Sequence, residues 1–257
     1  MARRSARLGR ARCRGTGMID WLRRPPLEPE IELAGQRLPI VLKRLHNARR
    51  LTLRLAPDGS AVRITLPAWA EAREAIAFAH SRADWLAGQL AKLPERAAPA
   101  PGGAVHYRGM ALRLVWDAKA PRRPQVVGET LRIGGPQTGI ETRLRRWLEA
   151  EALRLAEADM QDYCAAAGLD PVPMGLTRAQ RRWGSCSEKS RIRINWRLVQ
   201  APDHVRRSVV AHEVAHLVHF DHSPAFHALL ARIFEGEIAK ADRWLKDHGR
   251  GLYAAFG

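Results

Sequence analysis

The segment from Ala211 to Phe226, AHEVAHLVHFDHSPAF, contains the residues whose types and spacing best suit metal chemistry. His212 and His216 are four residues apart, so on an α-helix their imidazole rings lie on the same face. Two imidazole nitrogens on one face can bind the same metal ion, and Glu213 can reach a water molecule held by that ion. The surrounding valines indicate a largely buried helix, in which unpaired His and Glu side chains would be costly. The HExxH pattern therefore predicts a metal-dependent hydrolytic site.

A third ligand is expected, because a catalytic zinc site usually takes three protein ligands plus water. Ser223 and Pro224 have the residue types of a helix N-cap and of the first helical position, which would end the metal-binding helix near Phe220. His222 then lies in the corner between two helices, and it is the predicted third ligand. The rival ligands are His219, on a continuing helix, and Glu235 and Glu237, on the next helical segment.

The composition allows a sizeable core and gives no sign of a membrane segment. The chain has 257 residues, of which 46% are hydrophobic, and no stretch approaches the ~18–20 apolar residues that span a bilayer. The cysteines, Cys13, Cys164 and Cys186, are scattered without a CxxC pair, which favours a reducing compartment and predicts a cytoplasmic protein. The net charge of +17 suits anionic partners. However, the arginines form no single tract with interleaved aromatic residues, which favours charge spread over solvated faces.

Before the metal-binding region, the sequence predicts an extension and a β-rich region. Residues 1–25 are predicted to be a basic extension without a fold, in which Met18 is an alternative start. Residues 26–138 are predicted to be β-rich with one helix, and no internal repeat is apparent. The predicted elements are a hairpin of Leu51–Leu55 and Val62–Leu66 around Pro57-Asp58-Gly59, a helix from Trp69 to Leu93, a linker over residues 96–104, and strands Tyr107–Val115 and Gln125–Ile133.

Residues 139–257 are predicted to form the metal-binding domain. A long apolar stripe predicts a helix from Ile140 to Ala167 that packs behind the metal-binding helix, with Gly168 at its end. The alternation from Arg191 to Leu198 predicts a half-buried strand, and Trp183–Cys186 is expected to pair with it as a hairpin.

Several motifs together resemble the YgjP-like zinc metallopeptidase family. They are Arg182-Trp183-Gly184-Ser185-Cys186, Asn195-Trp196-Arg197-Leu198, His212 to His216, and Asp221-His222-Ser223. The resemblance is dense over about residues 140–250 and loose over residues 30–135. It implies an α+β fold whose C-terminal domain is zincin-like, with helices, a small antiparallel sheet and an HExxH active-site helix, preceded by a β-rich N-terminal region. It also implies that His212, His216 and His222 bind Zn2+ and that Glu213 is the general base.

These inferences predict a zinc-dependent hydrolase, most simply a metallopeptidase. Zinc lowers the pKa of its bound water towards ~7, and Glu213 would take the proton as that water attacks a carbonyl. An additional donor would stabilise the oxyanion, and the candidate residues for contacts with the substrate or oxyanion are Arg182, His219 and Asn195. Cys186 is interpreted as a structural residue of the hairpin. The polar face of the strand from Arg191 to Leu198 is expected to hold an extended peptide by edge pairing.

Two other functions remain open at the level of sequence. The first is hydrolysis of nucleoside triphosphates at the same zinc site, which the resemblance also allows because some family members are associated with that reaction. It is favoured by the arginines near the hairpin: Arg178, Arg181, Arg182, Arg191, Arg193 and Arg197. The second is a basic nucleic-acid-binding protein with structural zinc, which Glu213 and the lack of a nucleic-acid motif disfavour. The expected partner is thus a peptide, protein or nucleotide substrate, without membrane binding.

Overall fold

The computed structural model describes residues 29–93 and 98–256, which form six α-helices and three small β-sheets. This mixture of helices and small sheets confirms the predicted mixed fold class. The predicted basic extension, with Met18, lies outside the described residues, as do the first two residues of the predicted linker.

The first sheet contains β1 (Glu30–Leu33), β2 (Gln36–Leu45), β3 (Thr52–Leu55) and β4 (Val62–Pro67). Its order is β1-β2-β4-β3, with antiparallel outer pairs and a parallel central pair. Apolar residues alternate along the strands, so that Ile31, Ile40 and Ile64 lie on one buried face. The hairpin of β3 and β4 occurs as predicted, and its turn places Gly59 at a φ of 71°.

Two helices, α1 (Ala72–His80) and α2 (Ala83–Leu90), cover the buried face of the first sheet. The prediction of one helix from Trp69 to Leu93 is therefore wrong. The chain leaves the helix at Ser81, whose hydroxyl donates a hydrogen bond to the Phe78 carbonyl over 2.9 Å. Arg82 then has the non-helical angles φ −113° and ψ 17°. The helical spacing of apolar residues continues past this point although the helix itself is interrupted, which is why the sequence pattern predicted one helix.

The second sheet contains β5 (Ala104–Tyr107), β6 (Met110–Trp116), β7 (Gln125–Val127) and β8 (Thr130–Ile133). Each of the two strands predicted here is in fact a hairpin or part of one. The turns between paired strands contain residues with positive φ, namely Arg108 at 51°, Gly109 at 81° and Gly128 at 56°. These turns reverse the chain within a few residues, which a count of apolar positions does not detect.

The first and second sheets have the same topology, since the order β5-β6-β8-β7 also has a parallel central pair between two antiparallel hairpins. Their first turns also agree, because Ala34 and Gly35 have φ values of 49° and 76°, close to those of Arg108 and Gly109. The described chain thus contains a structural repeat that the sequence reading missed. The two copies share only a short pattern in the sequence. In the first copy the turn Leu33-Ala34-Gly35 is followed by the apolar residues Leu38 and Ile40. In the second copy the turn Tyr107-Arg108-Gly109 is followed, at the same spacing, by Leu112 and Leu114.

The long helix α3 (Ile140–Ala167) has the predicted bounds and ends at Gly168, where a φ of 73° suits a glycine C-cap. It is followed by the third sheet, formed by β9 (Met174–Thr177), β10 (Gly184–Ser187) and β11 (Arg191–Asn195). The order is β10-β11-β9. The β10–β11 hairpin was predicted, but β9 runs parallel to β11, so the sheet is mixed rather than antiparallel.

The predicted strand from Arg191 to Leu198 is wrong in its second half. β11 ends at Asn195, whose side chain accepts a hydrogen bond from the Arg197 N–H over 3.2 Å and begins the 3₁₀ helix Trp196–Gln200. Trp196 and Leu198 are buried in this tighter helix. The alternating apolar residues of the sequence therefore continue past the end of the strand. The remaining helices are α4 (Asp203–Ala215), α5 (Pro224–Ile233), α6 (Ile238–His248) and a second 3₁₀ helix, Gly249–Tyr253.

Helix α3 packs against α4, as predicted. Ala156, Met160 and Tyr163 share one buried cluster with residues of α4, α5 and β11. The contact also contains a buried ion pair, in which the Arg206 guanidinium donates to Asp159 over 2.7 Å. Because both side chains are almost fully buried, each needs the other to offset its desolvation. The ion pair therefore fixes the position of α4 on α3.

Candidate metal centre

Helix α4 carries His212 and Glu213 in its last turn and ends at Ala215, earlier than the predicted end near Phe220. His216 is the C-cap residue. Beyond it the backbone tightens, because the Leu217 N–H bonds to the Val214 carbonyl over 3.0 Å, a spacing of three residues rather than four. The chain therefore leaves the helix axis directly after His216.

Helix α5 begins where the sequence predicted. Ser223 is its N-cap, with an oxygen that accepts from the Phe226 N–H over 3.4 Å, and Pro224 occupies the first turn. This start places His222 immediately before the helix, facing the end of α4. The Phe226 ring lies under the site, with its centroid 5.0 Å from the ring of His212, 4.6 Å from that of His216 and 4.8 Å from that of His222.

The structure brings His212, His216 and His222 together, with ligand atoms that all lie within 4.8 Å of one another. The Nε2 atom of His212 is 3.1 Å from Nε2 of His216 and 3.2 Å from Nε2 of His222. The Nδ1 atom of His216 is 2.9 Å from the His219 carbonyl oxygen. A carbonyl oxygen can only accept a hydrogen bond, so Nδ1 of His216 carries the hydrogen. Nε2 of the same neutral ring therefore has a free lone pair.

Hydrogen bonds cannot account for both short contacts of the His212 Nε2 atom. A neutral ring nitrogen carries either one hydrogen or one lone pair, so Nε2 of His212 can form a hydrogen bond with only one of its two neighbours at a time. Burial is the main reason that the pKa of His212 is lowered to about 4, and the charges of His216, His222 and His227 contribute in the same direction. The His212 ring is therefore neutral near pH 7, which is the protonation state that binds metal. Three convergent imidazole nitrogens fit a zinc ion, with a coordination position left for water.

Two other histidines lie near this cluster without joining it. His219, the rival ligand, contributes its carbonyl oxygen to His216, and its ring is not part of the group of three. His227 is exposed, with its ring centroid 6.4 Å from that of His222. Glu235, the weaker rival, accepts hydrogen bonds from Tyr163 over 2.8 Å and from Arg207 over 2.6 Å.

Glu213 lies beside the histidines and is only 6% exposed. Burial raises the pKa of its carboxyl group to about 7, although the Cys186 backbone N–H and the charge of Arg182 act in the opposite direction. The carboxylate lies over Gly184, since a Cβ atom at that position would come within 2.7 Å of the Glu213 Cγ atom. The sequence reading missed this role of Gly184, although a glycine inside a strand is a known signal of close approach.

The other predicted site residues have different positions. Asn195 is fully buried, and its side-chain amide donates to the Ala179 carbonyl over 2.7 Å, so it holds the preceding loop rather than a substrate. Arg182 is exposed in the loop two residues before β10. Cys186 is partly buried, and burial raises the pKa of its thiol, which disfavours a thiolate. The predicted edge pairing on β11 is wrong because β11 lies between β10 and β9, and the edge strand next to α4 is β10.

A cluster of three imidazole nitrogens beside a buried carboxylate is typical of metal-dependent hydrolases. The family model described as "YgjP-like, metallopeptidase domain" matches residues 49–248. The chain therefore belongs to the YgjP-like family, as the sequence motifs indicated.

Among solved structures, the metallopeptidase zymogen abylysin of Pyrococcus abyssi is 22% identical to this chain. The match covers 37% of this chain and 96% of that one, with a TM-score of 0.34. No curated protein matches the chain. Within the described residues, every helix is too short or too polar to cross a membrane.

Proposed function

We propose that the protein is a zinc-dependent peptidase in which His212, His216 and His222 bind the metal and Glu213 is the general base. The observation that carries this proposal is the convergence of three Nε2 atoms beside a buried carboxylate. The description of the family as a metallopeptidase domain supports the choice of peptides as substrates. We further propose that residues 139–257 form the metal-dependent domain and that the β-rich region over residues 26–138 precedes it.

When bound, a zinc ion would act as a Lewis acid and make water nucleophilic at neutral pH. Glu213 has a pKa of about 7 because of its burial, so it can accept a proton near neutral pH and release it again to a leaving amine. The His216 Nδ1–H bond to the His219 carbonyl would keep the ring oriented during this exchange. His219 would thus contribute through its backbone, while Arg182, exposed in the loop before β10, is the remaining side-chain candidate for an oxyanion contact.

The edge strand β10 is the proposed support for the substrate backbone. The Cys186 N–H bonds to Glu213 rather than to β11, so this edge of the strand faces the carboxylate. A peptide that pairs with the same edge as an added strand would pass beside Glu213 and the histidine cluster. This position would bring a peptide carbonyl to the site without a deep pocket.

Hydrolysis of nucleoside triphosphates is the second candidate, and one observation favours it. A cavity of about 630 Å³ beside β10 is lined by Arg63, Arg178, Arg181 and Arg182. Two arginines of the predicted cluster are less available to phosphate. Arg197 is buried, with its guanidinium 4.4 Å from the centre of the Tyr253 ring. Arg178 is itself paired with Glu149 over 2.7 Å.

We propose a cytoplasmic location. Cys164 and Cys186 are both free thiols, which suits a reducing compartment. The basic nucleic-acid-binding alternative has less support, because Glu213 has no evident use in a structural zinc site.

The test compares the zinc-loaded wild type with Glu213→Gln on an unfolded protein substrate and, in parallel, on nucleoside triphosphates. New amino groups report peptide cleavage, and released phosphate or pyrophosphate reports nucleotide cleavage. We expect peptide cleavage by the wild type and a rate about 10²–10⁴ lower for Glu213→Gln, the usual contribution of a general base, at unchanged zinc content. The exposed Glu157→Gln is the matched control and should keep full activity. Cleavage of nucleotides alone would overturn the peptidase and support the second candidate.

A further inference from the structure

A second, larger cleft lies beside the proposed metal centre. It has a volume of about 840 Å³ and separates the outer face of the first sheet from the loop before β10 and the end of α6. The sheet contributes Lys43, Arg54 and Arg63, which are exposed and lie on the face opposite the buried Ile40 and Ile64. The opposite wall contributes Arg181, Arg182, Lys246 and Arg250. We name this feature, defined by these seven cations, the basic cleft.

The charges in the basic cleft are unbalanced. None of its seven cations forms an ion pair with an acidic residue in the described part of the chain, and the described lining residues include no Asp or Glu. By contrast, some arginines outside the cleft are paired with acidic residues, for example Arg206 with Asp159 and Arg207 with Glu235. A concave wall with one sign of charge attracts ligands of the opposite sign.

The basic cleft is continuous with the proposed active site through the chain itself. Arg182 and Trp183 line the cleft, and the next residue, Gly184, lies under the Glu213 carboxylate. A peptide paired with the edge of β10 would therefore pass from Glu213 directly into the basic cleft. If it runs antiparallel to β10, the residues that enter the cleft are those on the C-terminal side of the cleaved bond.

We propose that the basic cleft selects polypeptide substrates with acidic side chains. These side chains would be on the part of the bound substrate that extends past Gly184 of the protein towards Arg182. This inference rests on the proposed peptidase function. Arginine and lysine side chains bind carboxylates by charge-assisted hydrogen bonds. The apolar lining residues Val41, Leu55 and Leu245 would contact the aliphatic parts of the same peptide.

The lining favours a peptide over single-stranded nucleic acid. Nucleic-acid grooves combine cations with aromatic rings on which bases stack. The aromatic residues among the described lining are Trp183 and Tyr253, which pack on each other with ring centroids 5.9 Å apart. Tyr253 is only 3% exposed, so its face is not available to a base.

The cleavage test uses zinc-loaded protein and a set of quenched peptides that differ only in having Glu, Gln or Lys on one side of the cleaved bond. We expect the Glu peptide substituted on the C-terminal side to have a kcat/KM at least about tenfold above that of the Gln peptide at low salt, mainly through KM. The advantage should shrink as salt is added. Equal kcat/KM for the Glu, Gln and Lys peptides would overturn the inference while leaving the peptidase proposal intact. Failure to cleave any peptide would contradict the peptidase proposal itself.

Matched double variants locate the effect. Arg54→Gln with Lys246→Gln should remove most of the preference for Glu over Gln. Arg113→Gln with Lys119→Gln changes the net charge equally at exposed positions outside the cleft and should leave that preference unchanged. An equal loss in both pairs would assign the preference to net charge and overturn the inference.

A binding measurement separates the ligand from catalysis. Fluorescence anisotropy with the Glu213→Gln protein should report tighter binding of a labelled Glu-rich peptide than of its Gln counterpart. Displacement of that peptide by oligothymidylate at lower concentration than by unlabelled peptide would assign the cleft to nucleic acid and overturn the inference.

Discussion

At the scale of single residues, burial acts in opposite directions on two sequence neighbours. It lowers the pKa of His212 to about 4 and raises the pKa of Glu213 to about 7. In both cases the neutral form is favoured, because charge is costly in a site that water does not fully solvate. Between these pH values, His212 and Glu213 are thus both neutral in the metal-free protein, and a bound cation would stabilise the carboxylate form that the proposed general base needs.

The raised pKa of Glu213 predicts a pH-dependent effect of Glu213→Gln on stability. The folded protein keeps the carboxyl proton up to about pH 7, whereas the unfolded chain releases it near 4.5. Between these values the unfolded state binds fewer protons, so the stability of the metal-free wild type falls as pH rises. Because glutamine cannot ionise, the Glu213→Gln variant does not lose stability with rising pH in this way.

With a chelator present, we therefore expect the Tm of Glu213→Gln relative to wild type to increase from pH 5 to pH 8. The His212 contribution is common to both proteins and cancels. Glu157→Gln, at an exposed position, should show no such trend. A Tm difference that stays constant with pH would contradict the burial of an ionisable Glu213.

The sequence predicted that His212, Glu213 and His216 lie together at one helix end, because residues four apart on a helix share a face. It also predicted the corner at His222, because Ser223 and Pro224 have strong preferences for a helix start. It misassigned Asn195, whose amide is equally suited to a substrate and to the Ala179 carbonyl that it actually binds. Residue type alone does not distinguish those partners.

At the scale of elements, the site depends on the close approach of β10 to α4. Gly184 permits this approach, and an alanine side chain there would collide with Glu213. We expect Gly184→Ala to lower kcat by about 100-fold, since a displacement of about 1 Å can have that effect, while the zinc content is retained. Gly175→Ala is the matched control on β9, because a Cβ atom there has open space.

Full activity in Gly184→Ala would show that the carboxylate does not need its present position. Loss of zinc together with activity would indicate that β10 supports the histidines rather than Glu213 alone.

The elements that the sequence predicted well are those in which local and tertiary signals agree. Helix α3 has a continuous apolar stripe and a glycine at its end, and its predicted bounds are those observed. The end of α4 and the second half of the Arg191–Leu198 strand were wrong for a shared reason. In both places the apolar residues stay buried although the backbone changes to turns or to a 3₁₀ helix. The pattern of apolar residues in the sequence does not reveal that change of backbone conformation.

At the scale of the whole molecule, the charge is less evenly distributed than the sequence suggested. The basic cleft contains the cations at residues 43, 54, 63, 181, 182, 246 and 250, which come from three separate parts of the chain. Their proximity follows from the packing of the first sheet beside the third sheet and α6. The sequence contains no contiguous run of these cations that would indicate such a cleft. In the same way, the repeated sheet topology corresponds to only a short shared pattern in the sequence.

The most direct test of the central claim is the zinc content of the purified wild type, His222→Ala and His219→Ala after dialysis against a chelator. The geometry predicts about one zinc per chain in the wild type and in His219→Ala, and loss of the metal in His222→Ala. The Nε2 atom of His222 lies with those of the other two ligands, whereas His219 contributes only a backbone oxygen. Zinc that is lost in His219→Ala and kept in His222→Ala, or a wild type that binds no zinc after reconstitution, would contradict the account.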